Sequence, residues 1–141
     1  MEFQITIDQK PVNFSNNFNW MIFYKNQFHE DPAEFLFNSL YKMNGVDMND
    51  KRNEPIMMKE VGKIGFVRLS NMAWAMAKAA DRQIPPPPAW TASFKEYPIA
   101  MIGMDIYSAA IQSMVGNADN IEESKNPEAP AEALTSANQQ E

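Results

Sequence analysis

Few residues in this 141-residue chain are of the types that do chemistry. Its one histidine, His29, stands beside Glu30 and Asp31, a grouping with the elements of a general base or a metal ligand. No cysteine and no second histidine exists to complete a zinc site or a nucleophile–base pair. A histidine just ahead of a helix start is ordinarily solvated, so the chain reads as a non-enzyme with no cofactor and no metal. The run Asp47-Met48-Asn49-Asp50 opens like a calcium loop. Lys51 then stands at the fifth position, Arg52 replaces the required glycine, and Met58 occupies the place of the bidentate glutamate. Gly62-Lys63-Ile64-Gly65 is too short for a nucleotide fingerprint and reads as a flexible lead into a helix.

Methionine is the unusual residue. There are 11, including Met57, Met58, Met72, Met76, Met101, Met104 and Met114, most of them on or just before the last two long helices. A flexible, polarizable side chain has two uses here: it fills gaps between helices, or it lines a groove that accepts varied apolar helices. Trp74 and Trp90 are open to the same two readings.

The elements that position these residues follow from periodicity. Phe3, Ile5 and Ile7 alternate with polar residues, and Val12 and Phe14 continue the alternation beyond Asp8-Gln9-Lys10-Pro11, which predicts a hairpin. Residues 15–28 read as a helix capped by Ser15, Asn16 or Asn17, burying Phe18, Met21, Ile22, Phe28 and Trp20. Asp31-Pro32-Ala33-Glu34 has the composition of a capping box and starts a second helix that ends at Gly45, with a stripe of Leu36, Leu40 and Met43 widened by Phe35, Phe37 and Tyr41. Residues 46–60 are polar and weakly periodic. A long amphipathic helix is predicted over 63–82, with Phe66, Leu69, Ala73, Met76 and Ala80 on one stripe and Arg68, Asn71, Lys78 and Arg82 opposite. Pro85 to Pro88 stop it, a short turn buries Trp90 and Phe94, and a last helix runs over 97–115. The fold class is α+β, mostly α: an N-terminal β-hairpin packed on a small bundle of about four helices.

Composition bounds the rest. All sixteen aromatic residues precede residue 117, so residues 1–116 form the domain. Residues 117–141 carry six acids against one lysine, five of the chain's six net negative charges, and read as an acidic disordered tail. The near-neutral remainder lacks a basic face, which argues against nucleic-acid binding. The absence of cysteine favours a reducing compartment. Met1-Glu2-Phe3-Gln4 lacks the start of a secretory signal, and the most apolar window, 99–115, contains Asp105, Ser108, Gln112 and Ser113 and is too short to span a membrane.

The order of a strand–turn–strand, an aromatic helix, Asp31-Pro32-Ala33-Glu34, then Asn71 to Asp81, a Pro-Pro-Pro-Ala-Trp run and Ser93-Phe94-Lys95-Glu96-Tyr97-Pro98 resembles the tail assembly chaperones of long-tailed, siphovirus-type phages of Gram-positive bacteria. The resemblance spans residues 1–115. It implies a late protein of the host cytoplasm, absent from the mature virion, that binds the tape measure protein and helps tail tube protein polymerise around it during virion morphogenesis. It also implies self-association and a frameshifted longer form for which the acidic tail is a tether. The alternative reading is a structural tail or head completion subunit retained in the virion. On the chaperone reading, Met72, Trp74, Met76, Trp90, Met101 and Met104 are the candidate partner contacts.

Overall fold

The computed structural model describes residues 1–116; residues 117–141, and with them the expectation of a disordered acidic tail, lie outside the described residues. Two strands, β1 (Glu2–Ile7) and β2 (Lys10–Ser15), pair antiparallel with Phe3 opposite Phe14 and Ile5 opposite Val12. The connection is tighter than its sequence suggests. Only Asp8 and Gln9 turn, both with positive φ (55° and 64°), the combination that matches the right-handed strand twist in a two-residue hairpin. Lys10 and Pro11 belong to β2. Pro11 is tolerated because each strand of a two-stranded sheet is an edge. The Asp8 carboxylate accepts from the Lys95 amide at 3.1 Å, tying the turn to the segment just ahead of the last helix.

The helices are α1 (Asn19–Phe28), α2 (Ala33–Lys42), α3 (Glu54–Ile64), α4 (Phe66–Ala80), α5 (Pro87–Ala92) and α6 (Ile99–Val115), with one turn of 3₁₀ helix at Lys51–Asn53. The hairpin-and-helix architecture is the one the sequence predicts. Helix α3 is the element that weak periodicity concealed. Gly62 to Ile64 form its last turn rather than a flexible lead-in, and the break before α4 is made by Gly65 at φ 90°, ψ 154°. That conformation is essentially closed to residues with a Cβ, so the helix predicted from residue 63 begins instead at Phe66, and residues 63 and 64 belong to α3.

Helix α4 is the axis of the fold, in contact with β2, α1, α3, α5 and α6. From Met72 to Ala77 six consecutive residues are buried. An amphipathic helix exposes one side; this stretch is covered all round, and its alanines let the neighbouring elements approach closely. Phe66, expected on the buried stripe, is 54% exposed because it lies at the first turn, outside this enclosure. Gly103 of α6 packs on Leu69, whose Cδ1 lies 3.1 Å from where a Cβ would stand.

Each peripheral helix buries a narrow face. On α1 this is Trp20 and Tyr24. Phe18 and Ile22, expected inside, are exposed because a two-residue offset rotates a side chain by about 200° on a helix. On α2 the buried residues are Leu36 and Ser39, followed by Met43 at its C-terminal cap, leaving Phe37 and Tyr41 outside. The start of α2 is set as predicted by Asp31, whose Oδ1 accepts from the Ala33 amide at 2.9 Å.

Candidate docking surface

The six sequence-nominated residues divide by location. Met72 and Met76 are completely buried in α4. Trp74 and Trp90 retain only 4% exposure each. The Trp74 indole donates to the Pro85 carbonyl at 2.9 Å and meets the edge of Phe28 at 5.8 Å, so it clamps the proline segment onto α1 and α4. Trp90 is enclosed by Phe14, Phe94 and Tyr97 at centroid distances of 6.4, 5.3 and 5.9 Å. These four side chains have almost no surface to offer a partner in this conformation; they pack the centre. Met101, by contrast, is 75% exposed at the first turn of α6, and Met104 is half-buried. The six do not form one surface.

What gathers on the surface is a belt around the loop that follows α2. At one end α2, the 43–48 segment and the last turn of α6 enclose a groove of about 490 Å³. Met43 and Ile111 form its buried floor, Leu40, Val46 and Met48 its half-buried walls, and Phe37, Tyr41 and Val115 its exposed rim. Phe37 and Tyr41 are 67% and 79% exposed, large aromatic surface left in water one helical turn apart. A second depression shares Gly45, Val46, Met48 and Gly116 with this groove and extends it toward Met1, Asn16 and Gln112. A third shares Met1, Met48, Asn49 and Gln112 with the second and reaches Phe3, Met57 and Met104. The belt therefore runs from two aromatics at one end to Met1, Met48 and Met104 at the other, with Met57 buried beneath them. It includes one of the six nominated residues, Met104.

The local geometry that holds the belt open is readable. Gly45, at φ 80°, turns the chain after α2, and the Val46 amide donates to the Met43 carbonyl at 3.0 Å. Asp47 and Asp50, the carboxylates of the calcium-like run, accept from the amides of Asn49 and Arg52 at 2.9 and 3.0 Å, and Asp50 pairs with the Arg52 guanidinium at 2.7 Å. Asn53 donates to the Asp47 carbonyl at 2.8 Å and closes the loop on the 3₁₀ turn. Behind the belt, the Ser39 and Tyr107 hydroxyls hydrogen-bond and join α2 to α6, while the Asn16 side chain donates to the Ala109 carbonyl at 2.9 Å and joins the hairpin to α6. Asn16, nominated as a helix cap, makes a long-range contact instead; Asn17 accepts from the Asn19 amide at 3.0 Å.

The polar groups with shifted acidity belong to the frame. Tyr24 donates to Glu30 at 2.7 Å, and Arg68 grips both Glu30 oxygens at 2.9 and 3.2 Å while lying over the Phe35 ring at 4.6 Å. Arg68 holds the Glu30 carboxyl below the ordinary carboxylate value. Burial, reinforced by Glu30, pushes the Tyr24 phenol upward. His29 is exposed at the end of α1 with φ 62°, its amide donating to the Lys25 carbonyl. Among the described residues, no group of three or more His, Cys, Asp or Glu side chains is placed to hold a metal ion, and no helix is long and apolar enough to cross a membrane. The residues that sequence reading missed are Phe37 and Tyr41. Their excess over the stripe needed by a ten-residue helix is the signal that marks them. Comparison with protein-family models, curated proteins and solved structures finds no match to this chain.

Proposed function

We propose that this protein is a non-enzymatic phage tail assembly chaperone that masks the apolar helical stripes of a tape measure protein and yields them to the tail tube protein as the tube polymerises. The observation that carries the reading is the belt, with Phe37 and Tyr41 exposed at one end and a cluster of methionines at the other. It stands beside the order of elements that resembles such chaperones. Aromatic side chains supply large contact area at low entropic cost, and methionines adapt to different apolar neighbours. A helix lying along the belt presents its i, i+3, i+4 and i+7 side chains to such a groove. The contacts are individually modest, which suits a chaperone that must be displaced, because release is governed chiefly by the dissociation rate.

Co-expression with the tape measure and tube proteins tests the reading. The intact chain is expected to keep the tape measure in the supernatant, and a Phe37→Ser, Tyr41→Ser double variant to lose that effect while folding normally. A tape measure equally soluble with no chaperone present overturns the proposal. Detection of the chain in purified virions favours the completion-subunit reading instead.

A further inference from the structure

The charges around the belt are one-sided. Its aromatic end, the groove between α2, the 43–48 segment and α6, is lined by no charged side chain among the described residues. Toward the methionine end the charged lining side chains are Asp47 in the second depression and Glu54 and Asp105 in the third, a cavity of about 460 Å³. All three are carboxylates, and no Lys or Arg among the described residues lines any of the three depressions. Basic side chains pair elsewhere: Arg52 with Asp50, Arg68 with Glu30, Lys42 and Lys63 with Glu60. Asp47 turns its carboxylate to the Asn49 amide. Among the described residues neither Glu54 nor Asp105 forms an ion pair. Partial burial raises the Asp105 carboxyl above the ordinary carboxylate value, with no neighbouring cation to offset it. Helix α6 is the spine of the belt: Asp105 lines the methionine end, Gln112 the middle and Val115 the aromatic end. From Asp105 to Val115 the helix rises about 15 Å.

We propose that the belt's partner is a basic amphipathic helix, which buries an apolar side chain beside Phe37 and Tyr41 and brings a lysine or arginine to Asp105 and Glu54. A helix lying along α6 reaches both ends when those two side chains are about three turns apart. The apolar end supplies most of the affinity. The carboxylates fix the register and reject acidic helices, because an acid placed there meets like charge without a compensating cation. This names the chemistry of the partner and rests on the belt's role as the docking surface of the chaperone reading.

Two labelled helical peptides of about five turns test it, with the same leucine stripe and either lysines or glutamates in both terminal turns. In fluorescence anisotropy at low salt, the full chain is expected to bind the lysine peptide at least about fivefold more tightly than the glutamate peptide. An Asp105→Asn, Glu54→Gln variant should lose most of that preference. A Glu34→Gln, Glu96→Gln variant, which removes the same charge from exposed positions off the belt, should keep it. Phe37→Ser with Tyr41→Ser should weaken both peptides. Equal affinity for the two peptides, or no measurable binding of the lysine peptide, overturns the proposal. So does a preference that falls equally in both charge variants, which assigns it to net charge, or binding untouched by the Phe37 and Tyr41 changes. Sedimentation of the chain alone as a dimer that those two changes convert to monomer also overturns it and assigns the belt to a second copy. Absence of the peptide preference, with the tape measure still held in solution by the chain, removes this inference and leaves the chaperone reading intact. The preference together with a tape measure equally soluble without the chain does the reverse.

Discussion

At the scale of single residues, the glycine held most closely is Gly103 against Leu69, where a Cβ would sit 3.1 Å from Leu69 Cδ1. Alanine improves helix propensity by roughly 1 kcal/mol but presses on a fully buried leucine, so Gly103→Ala should leave stability nearly unchanged. Valine adds two methyl groups that the joint cannot absorb. Gly103→Val should destabilise by about 2 kcal/mol or more in urea unfolding, and tolerance of valine would show that α4 and α6 are free to separate. A second prediction concerns Glu30 and Tyr24. Because Arg68 lowers the Glu30 pKa from its ordinary 4.5, the folded chain gains stability above that value and loses it as the pH falls through the lowered one. Tyr24, raised above 10.0, contributes fully below pH 10 and loses its contribution as the pH rises beyond it. The urea midpoint of the wild type should thus fall between about pH 7 and about pH 3, and Glu30→Gln should narrow that gap. An unchanged gap would place the acid sensitivity elsewhere.

At the scale of elements, the informative contrast is between Gly62, inside α3, and Gly65, just past its end. Gly65 breaks the 54–80 stretch with a backbone conformation that alanine rarely adopts. Gly65→Ala should cost about 1–3 kcal/mol. Gly62 has an ordinary helical position, and a Cβ added there would meet nothing within 4 Å, so Gly62→Ala should stabilise α3 by up to about 1 kcal/mol. Thermal unfolding of the two variants checks the pair, and opposite shifts in midpoint are the expected result. The hairpin was legible because its alternation and its buried partner residues coincide, Ile7 and Phe14 both being fully buried. Helix α3 was less legible because its buried set, Met57, Glu60, Val61 and Ile64, includes a glutamate. That carboxylate is buried next to Lys63 at 3.3 Å and Lys42 at 3.9 Å. A charged residue at a core position interrupts the apolar pattern that periodicity relies on.

At the scale of the whole molecule, core and partner surface separate along the methionines. Met72→Ala should cost about 2–5 kcal/mol, because it opens a cavity in the fully buried centre of α4. Tyr41→Ser, at an exposed rim position, should shift stability by less than about 0.5 kcal/mol while impairing tape measure solubilisation. Chemical denaturation beside the co-expression assay measures both. A Tyr41→Ser chain that unfolds readily would mean that the rim is structural and that the belt is not the docking surface.

By itself the sequence determined the class of this fold, the N-terminal hairpin, the Asp31 start of α2 and the final apolar helix, because each is written in local periodicity or in capping chemistry between near neighbours. It also marked Trp74 and the methionines as unusual. Only the tertiary structure decided which of them reach water. Whether Met72 or Met104 is exposed depends on which elements cover α4 and α6, and six consecutive buried residues leave no periodic trace of that enclosure. Phe37 and Tyr41 read as extra core on a helical wheel. They are candidate contacts because α2 buries Leu36 and Ser39, with Met43 at its cap, and leaves its aromatic side beside the point where α6 ends.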